Sequence, residues 1–232
     1  MKRLAFITDL HADAQSLRDA LRRISKIGCD PIICGGDLVD IGQYPEETIT
    51  VIRDHKIPCI RGNHDRWVLE QIRVPVSRQN EAEKWIPSKE AITFLEALAL
   101  SWSATIEGVR IAIHHGTPYS DMDGIYPDQV TGSDVRRWLD KAEADALLVG
   151  HTHIPFILSI PGRGIVANPG AILREIPIGE ILIYNPLSQS FLPGADTVEG
   201  GTFGVLELPS LLFTVHRAAD GTEIEIVRKT VF

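Results

Sequence analysis

Residues 4–40 read LAFITDLHADAQSLRDALRRISKIGCDPIICGGDLVD, and this stretch decides the fold class. The apolar run 4–8 has the length of a buried strand and leads into Asp9-Leu10-His11. From 13 to 27, Leu17, Ala20, Leu21, Ile24 and Ile27 recur at helical spacing, with Asp13 placed to cap the helix and Gly28 to stop it. A second apolar run, 31–34, leads into Gly35-Gly36-Asp37-Leu38-Val39-Asp40. Strand, helix, strand in that order predicts parallel pairing through a right-handed crossover. Both polar clusters then fall at strand C-terminal ends, where open α/β sheets bind their ligands.

Working outward, the pattern predicts a helix over 45–54 and a strand over 57–60 that runs into Gly62-Asn63-His64-Asp65. A helical region follows at 80–100, with Ser88 as cap and Ile92, Leu95 and Ala99 facing inward. Strands 102–106 and 109–114 flank the two-residue hairpin signal Glu107-Gly108 and lead to His114-His115-Gly116. Beyond a helix at 134–142, strand 145–149 meets Gly150-His151-Thr152-His153. Further strands are expected at 155–160, 165–167, 181–184, 203–208, 211–216 and 223–228. No repeat or linker interrupts the pattern. The expectation is one domain, 1–232, in which 170–232 supplies closing strands of the second sheet.

Composition narrows the function. With 232 residues, 44% hydrophobic and 23% charged, the chain can bury a sizeable core. A formal net charge of -8 argues against an extended nucleic-acid surface, although bound cations can reverse the sign locally for a small anionic substrate. Cys29, Cys34 and Cys59 are odd in number and irregularly spaced, which fits a reducing compartment better than a disulfide framework. The apolar run after Lys2 and Arg3 is too short for a signal peptide, and no run reaches the length of a membrane span. The chain reads as cytoplasmic and free of membrane.

Imidazole, carboxylate and amide oxygen without thiolate suit borderline divalent metals. Taken singly, Asp-x-His, Gly-Asp and Gly-Asn-His-Asp each also fit an ordinary turn or helix cap. Gly-His-x-His is more telling, because two imidazoles two residues apart after an apolar strand rarely serve packing.

The ordered set of clusters resembles the calcineurin-like metallophosphoesterase superfamily, whose blocks read Asp-x-His, Gly-Asp, Gly-Asn-His-Asp/Glu, His and Gly-His-x-His. The likeness is to its small bacterial and archaeal phosphodiesterase-type members and runs from about Lys2 to Ala171, including Asn168-Pro169-Gly170-Ala171. It implies a four-layer α-β-β-α sandwich, two packed mixed sheets flanked by helices, with a dinuclear metal site at strand C-terminal ends. By resemblance Asp9, His11 and His153 bind one ion, Asn63, His115 and His151 the other, and Asp37 bridges them. His64 matches the catalytic histidine and Asp65 its orienting partner, while His114 turns away to packing. The two ions would be manganese, iron, zinc or nickel.

The implied reaction is hydrolysis of a phosphodiester or nucleotide-like substrate by direct attack of a metal-bridging hydroxide. A phosphomonoesterase, a protein phosphatase, a dinucleoside polyphosphate hydrolase and a non-enzymatic binding scaffold are the alternatives. The expected partner is a small phosphoester, with a homo-oligomer left open. Loop 116–131, with Tyr119 and Tyr126, is expected to bind substrate. Ala12 and Ala171 stand where the family commonly has glycine and serine; neither position supplies a ligand.

Overall fold

Along β1 (Lys2–Ile7), Leu4 and Phe6 turn to one face and Ala5 and Ile7 to the other, as the two-residue period of a strand demands. The computed structural model describes residues 2–72, 85–173, 184–185, 190–191 and 201–232. After β1 come α1 (Ala14–Ile27), β2 (Ile32–Cys34), α2 (Pro45–Asp54), α3 (Asn63–Ile72), α4 (Lys89–Ala97), β3 (Ser101–Ile106) and β4 (Val109–His114). Then follow α5 (Gly132–Lys141), β5 (Ala146–Leu148), β6 (Phe156–Ile160), β7 (Gly164–Asn168), β8 (Tyr184–Asn185) and β9 (Ser190–Phe191). The last strands are β10 (Thr202–Leu208), β11 (Leu212–Arg217), β12 (Glu223–Ile224) and β13 (Val227–Thr230).

Two mixed sheets result, in the orders β12-β11-β10-β1-β2 and β13-β6-β7-β5-β4-β3, beside a ribbon of β8 and β9. β1 and β2 run parallel, as do β4 and β5. Leu4 and Phe6 meet Ile111, Ile113 and Leu148 of the other sheet in one buried cluster. On the outer face, Ala5 and Ile7 pack under Leu17 and Ile24 of α1, Ile52 of α2, Leu69 of α3 and Leu95 of α4. The second sheet repeats the logic, its Ala112 and Leu147 packing on Val135, Trp138 and Leu139 of α5. The order is helices, sheet, sheet, helix, the expected sandwich. Each large apolar side chain buried between the sheets contributes about 1.5–3 kcal/mol. That contact holds in place the two sets of loops from which the site is built.

Short-range signals gave the local structure. Asp13 accepts from Ser16 N–H to cap α1, and Gly28 ends it at φ 79°. Thr131 and Asp134 form a reciprocal capping box on α5. Glu107 and Gly108, at φ 51° and 78°, make the hairpin turn.

Four expectations are corrected. Residues 57–60 form no strand of their own, only isolated parallel bridges from Cys59 to Cys34 and from Ile60 to Ala99. The helix expected at 80–100 is α4, capped by Ser88; Ala99 lies past its end and is exposed, and 80–84 fall outside the described residues. The strand expected at 223–228 breaks at Glu225-Ile226, so that β12 joins the first sheet and β13 the second. The tail mostly closes the first sheet, not the second, because the edge of β1 opposite β2 is open and β10 takes it, pairing Lys2 with Leu208. Of the strand expected at 181–184, residues 181–183 lie outside the described residues and Tyr184 opens β8.

Candidate metal centre

The polar clusters sit where strands end and the chain must turn. Beyond β1 and β2 the two loops continue as a ladder of backbone bonds, Asp9 N–H to Gly36 O, His11 N–H to Asp37 O and Ala12 N–H to Leu38 O. Of the twelve non-glycine residues with positive φ among those described, five are Asp9, His11, Asp37, His151 and His153. Such backbone costs of order 1–3 kcal/mol per residue and gathers at functional sites. Ala12, at φ 60°, adopts the conformation that glycine takes without strain. The Gly36 and Gly62 loops nearly touch: a Cβ on Gly36 would lie 2.6 Å from Gly62 N, and one on Gly62 would lie 2.1 Å from Asp37 Oδ1.

The seven residues singled out as metal ligands form one contiguous, mostly buried cluster. In the triads Asp9–His11–His153 and Asp9–Asp37–His115, and in His11–Asp37–His64, the candidate ligand atoms all lie within 4.8 Å of one another. His11 Nε2 and His153 Nε2 face each other at 3.1 Å. Asp9 Oδ1 stands 3.4 Å from His153 Nε2. Asp37 Oδ2 lies 3.7 Å from His11 Nε2 and 3.1 Å from His115 Nε2. Asn63 Oδ1 is 2.9 Å from both His115 Nε2 and His151 Nδ1.

His115 tests whether a cation fits. Its Nδ1 lies 2.9 Å from Gly35 O, which can only accept, so Nδ1 carries the hydrogen. In a neutral ring Nε2 is then a lone pair, yet it faces the oxygens of Asn63 and Asp37. Acceptor against acceptor is resolved only by a positive charge, either a proton on Nε2 or a cation among the three groups. Burial by itself would lower the His115 pKa; the charge of and hydrogen bond to Asp37, then the charge of Asp9, overcome it and push it up to about 10. Burial would raise the Asp37 carboxyl, but the charge of His115 outweighs that and holds it well below the usual carboxylate range. Asp9 is lowered likewise, chiefly by His153 against its own burial. His11 moves the other way: burial lowers it to about 3 despite Asp37. The donor set fits divalent ions bound by oxygen and nitrogen.

His64 is the second residue of α3, and its backbone N–H donates to Asp37 Oδ1 at 2.9 Å. Its Nδ1 lies 2.9 Å from Asp40 Oδ2. Burial opposes but does not cancel the rise in the His64 pKa from that bond and from the Asp37 charge. Asp65 therefore does not orient His64, contrary to the sequence expectation. Its carboxylate reaches back to Gly62 N–H at 2.9 Å and across to Leu38 and Val39 N–H at 2.9 and 3.3 Å. The helix points the third residue of α3 at the unpaired amides of its own first turn. Burial and then Asp37 raise this carboxyl to about 7. Asp40 went unassigned in the sequence although it closes the Gly-Asp-Leu-Val-Asp cluster.

Loop 116–131 is irregular, as expected, and is fastened at two points. Arg66 of α3 makes a two-pronged ion pair with Asp121 at 2.8 and 3.2 Å. Lys229 of β13 donates to Pro127 O and Val130 O, each at 3.0 Å. The two tyrosines part company. Tyr126 is half-buried against Gly124, whose open side also faces the Thr152 methyl between His151 and His153. Tyr119 is 54% exposed, with Lys141 Nζ 5.9 Å from its ring centroid. His114 is half-buried, and burial followed by the Lys141 charge lowers its pKa. His55 caps α2 through Val51 O, and His216 stacks on Phe203.

A family model described as the calcineurin-like phosphoesterase superfamily domain matches residues 1–181. An uncharacterized protein of Methanocaldococcus jannaschii is 31% identical over 167 residues, which make up 69% of this chain and 66% of that relative. The chain thus spans about two thirds of the curated relative it matches. A metallophosphoesterase from Sphaerobacter thermophilus superposes with a TM-score of 0.65 at 20% identity, over 97% of this chain and 89% of the other. A hypothetical protein from Pyrococcus horikoshii gives 0.67 at 19% identity, over 98% and 88%. Both structural likenesses show the fold.

Proposed function

The chain belongs to the calcineurin-like phosphoesterase superfamily, and from that premise we propose that it hydrolyses a phosphodiester or nucleotide-like ester at a centre of two divalent ions. The observation that carries this reading is the position of Asp37 Oδ2, within 3.7 Å of His11 Nε2 on one side and 3.1 Å of His115 Nε2 on the other. Only a carboxylate offers anionic oxygen to two cations at once. Asp9, His11 and His153 would hold one ion with Asp37, and Asn63, His115 and His151 the other. When bound, a pair of divalent ions supplies Lewis acidity, offsetting phosphoryl charge and making water acidic enough to attack near neutral pH.

The chain's own groups do the rest. Asp40 accepts the Nδ1 hydrogen of His64, orients the ring and raises its pKa above the ordinary histidine value, which favours the protonated form. Its Nε2 is then available to protonate the departing oxygen. Asp65 ties the Asp37 loop to the start of α3 and so fixes the spacing between Asp37 and His64. Tyr126, beside the His151–His153 turn, is better placed to line the substrate site than Tyr119. Three free thiols fit a reducing, cytoplasmic setting, and no helix among the described residues is long and apolar enough to cross a membrane.

The test is a hydrolysis screen of the metal-loaded protein against diesters, monoesters, cyclic nucleotides and dinucleoside polyphosphates. Preferential turnover of a diester is expected. A preference for monoesters or dinucleoside polyphosphates would replace the substrate class, and turnover of nothing with two ions bound would favour a binding role.

A further inference from the structure

We propose that Trp67 forms the wall against which the leaving group lies, so that the site selects esters whose leaving group carries a flat aromatic ring. The inference rests on the reading of His64 as the acid that faces the departing oxygen. Of the four tryptophans, Trp85 packs against the cluster under the helices, Trp102 against the cluster between the sheets, and Trp138 lies in the cluster under α5. Trp67 packs against none of these among the described residues. Its neighbours Val68 and Leu69 turn into the core, which leaves the indole on the other side of α3.

Three residues beyond His64 on one helix, Trp67 shares its face. The ring centroids stand 4.6 Å apart with the planes tilted by 57°, and the indole is half-buried. The imidazole is thus held on three sides, by Asp40 at Nδ1, by the near-perpendicular ring of His11 at 4.7 Å, and by Trp67. Nε2 remains for the substrate. A departing oxygen in hydrogen-bond reach of Nε2, about 3 Å, places the next few atoms of its group beside the indole. No free cation competes for that place from the same turn, because Arg66 is engaged by Asp121 and Glu70. The surface offered there is flat and apolar, suited to a nucleobase or aryl group.

The test compares two diesters that differ only in the shape of the leaving group, methyl benzyl phosphate and methyl cyclohexylmethyl phosphate, with the metal-loaded full chain. Both release a primary alkoxide, but benzyl alcohol is slightly the stronger acid, so what remains of the rate ratio for the larger alcohols after correction for leaving-group acidity reports ring recognition. The wild type should favour the benzyl ester about fivefold in kcat/KM, the scale of an aromatic pair beyond its buried area. Trp67→Phe should keep most of that ratio, and Trp67→Leu should bring it to about one. A wild-type ratio near one, or equal losses on both esters in Trp67→Leu, would overturn the proposal and leave Trp67 as packing for His64. Binding of benzylphosphonate and cyclohexylmethylphosphonate, measured by calorimetry, reads the wall without turnover. Tighter benzyl binding that is lost in Trp67→Leu supports it even if neither ester is cleaved, in which case the hydrolytic reading alone has failed; equal binding refutes it.

Discussion

The five-stranded sheet delivers the two carboxylates of the cluster, Asp9 after β1 and Asp37 after β2, whereas the six-stranded sheet delivers imidazoles alone, His115 after β4 and His151 and His153 after β5. His11 is the one imidazole from the carboxylate side, and it behaves oppositely to His115. Burial drives His11 down to about 3, while Asp37 and Asp9 draw His115 up to about 10. Two fully buried histidines of one cluster thus differ in whether the carboxylates or the loss of water decides their charge. The triads Asp9–His11–His153 and Asp9–Asp37–His115 each join groups from both sheets. The site belongs to the seam, and the apolar contact between the sheets is a condition for it.

The severest way to break the contrast is to weaken the carboxylate side where it faces both triads. Asp37→Asn should cost roughly 10³-fold in hydrolysis, the scale lost when a preorganised electrostatic group is removed, with metal content falling below two per chain by elemental analysis. His64→Ala leaves both sheets' contributions intact. It should keep its metal and lose about 10²–10⁴-fold on an alkyl ester, but far less on a p-nitrophenyl ester, whose leaving group scarcely needs a proton. A smaller change sharpens the role of Asp40. Asp40→Asn leaves an oxygen that can still accept from Nδ1 but removes the charge that strengthens that bond and raises the His64 pKa, so the acid loses its proton at lower pH. The alkaline limb of the rate profile on an alkyl ester should move down, with a loss of about tenfold near pH 8.

Proton release separates the two histidines directly. At pH 8 the metal-free site keeps a proton on His115, below about 10, while Asp65 is ionised above about 7 and His11 is neutral above about 3. Metal must displace the His115 proton and none from His11. Calorimetry in buffers of different ionisation enthalpy should give about two protons released per chain, one from His115 and one from the water that the ions make acidic, and affinity should rise by about tenfold per pH unit for each of them. Release of only about one would show that the carboxylates do not charge His115. The smallest effect lies outside the seam. Asp121→Asn breaks a part-exposed ion pair with Arg66, so stability should drop by about 1 kcal/mol or less while metal content stays the same.

How much the sequence disclosed follows the range of the interactions. The capping of α1 and α5, the hairpin at Glu107-Gly108 and the ligand clusters depend on neighbours in the chain, and all were legible. The partner of His64 was not, because Asp40 and Asp65 are both close to cluster residues. The choice between them turns on the left-handed backbone at Asp40, φ 71°, and on the backward reach of Asp65 to Gly62. Nor could spacing show that residues 223–228 divide between sheets, since each half answers to a strand far away in sequence, β12 to β11 and β13 to β6. Helix α3 was hidden by its own polar start, though Trp67, Val68 and Leu69 carried a signal that a helical reading of 63–72 would have found.

The measurement that bears most directly on the account is anomalous diffraction from crystals grown with manganese. Two peaks are predicted about 4 Å apart, one on each side of Asp37 Oδ2, the first among Asp9, His11 and His153 and the second among Asn63, His115 and His151. A single peak, or peaks held by other residues, would contradict it.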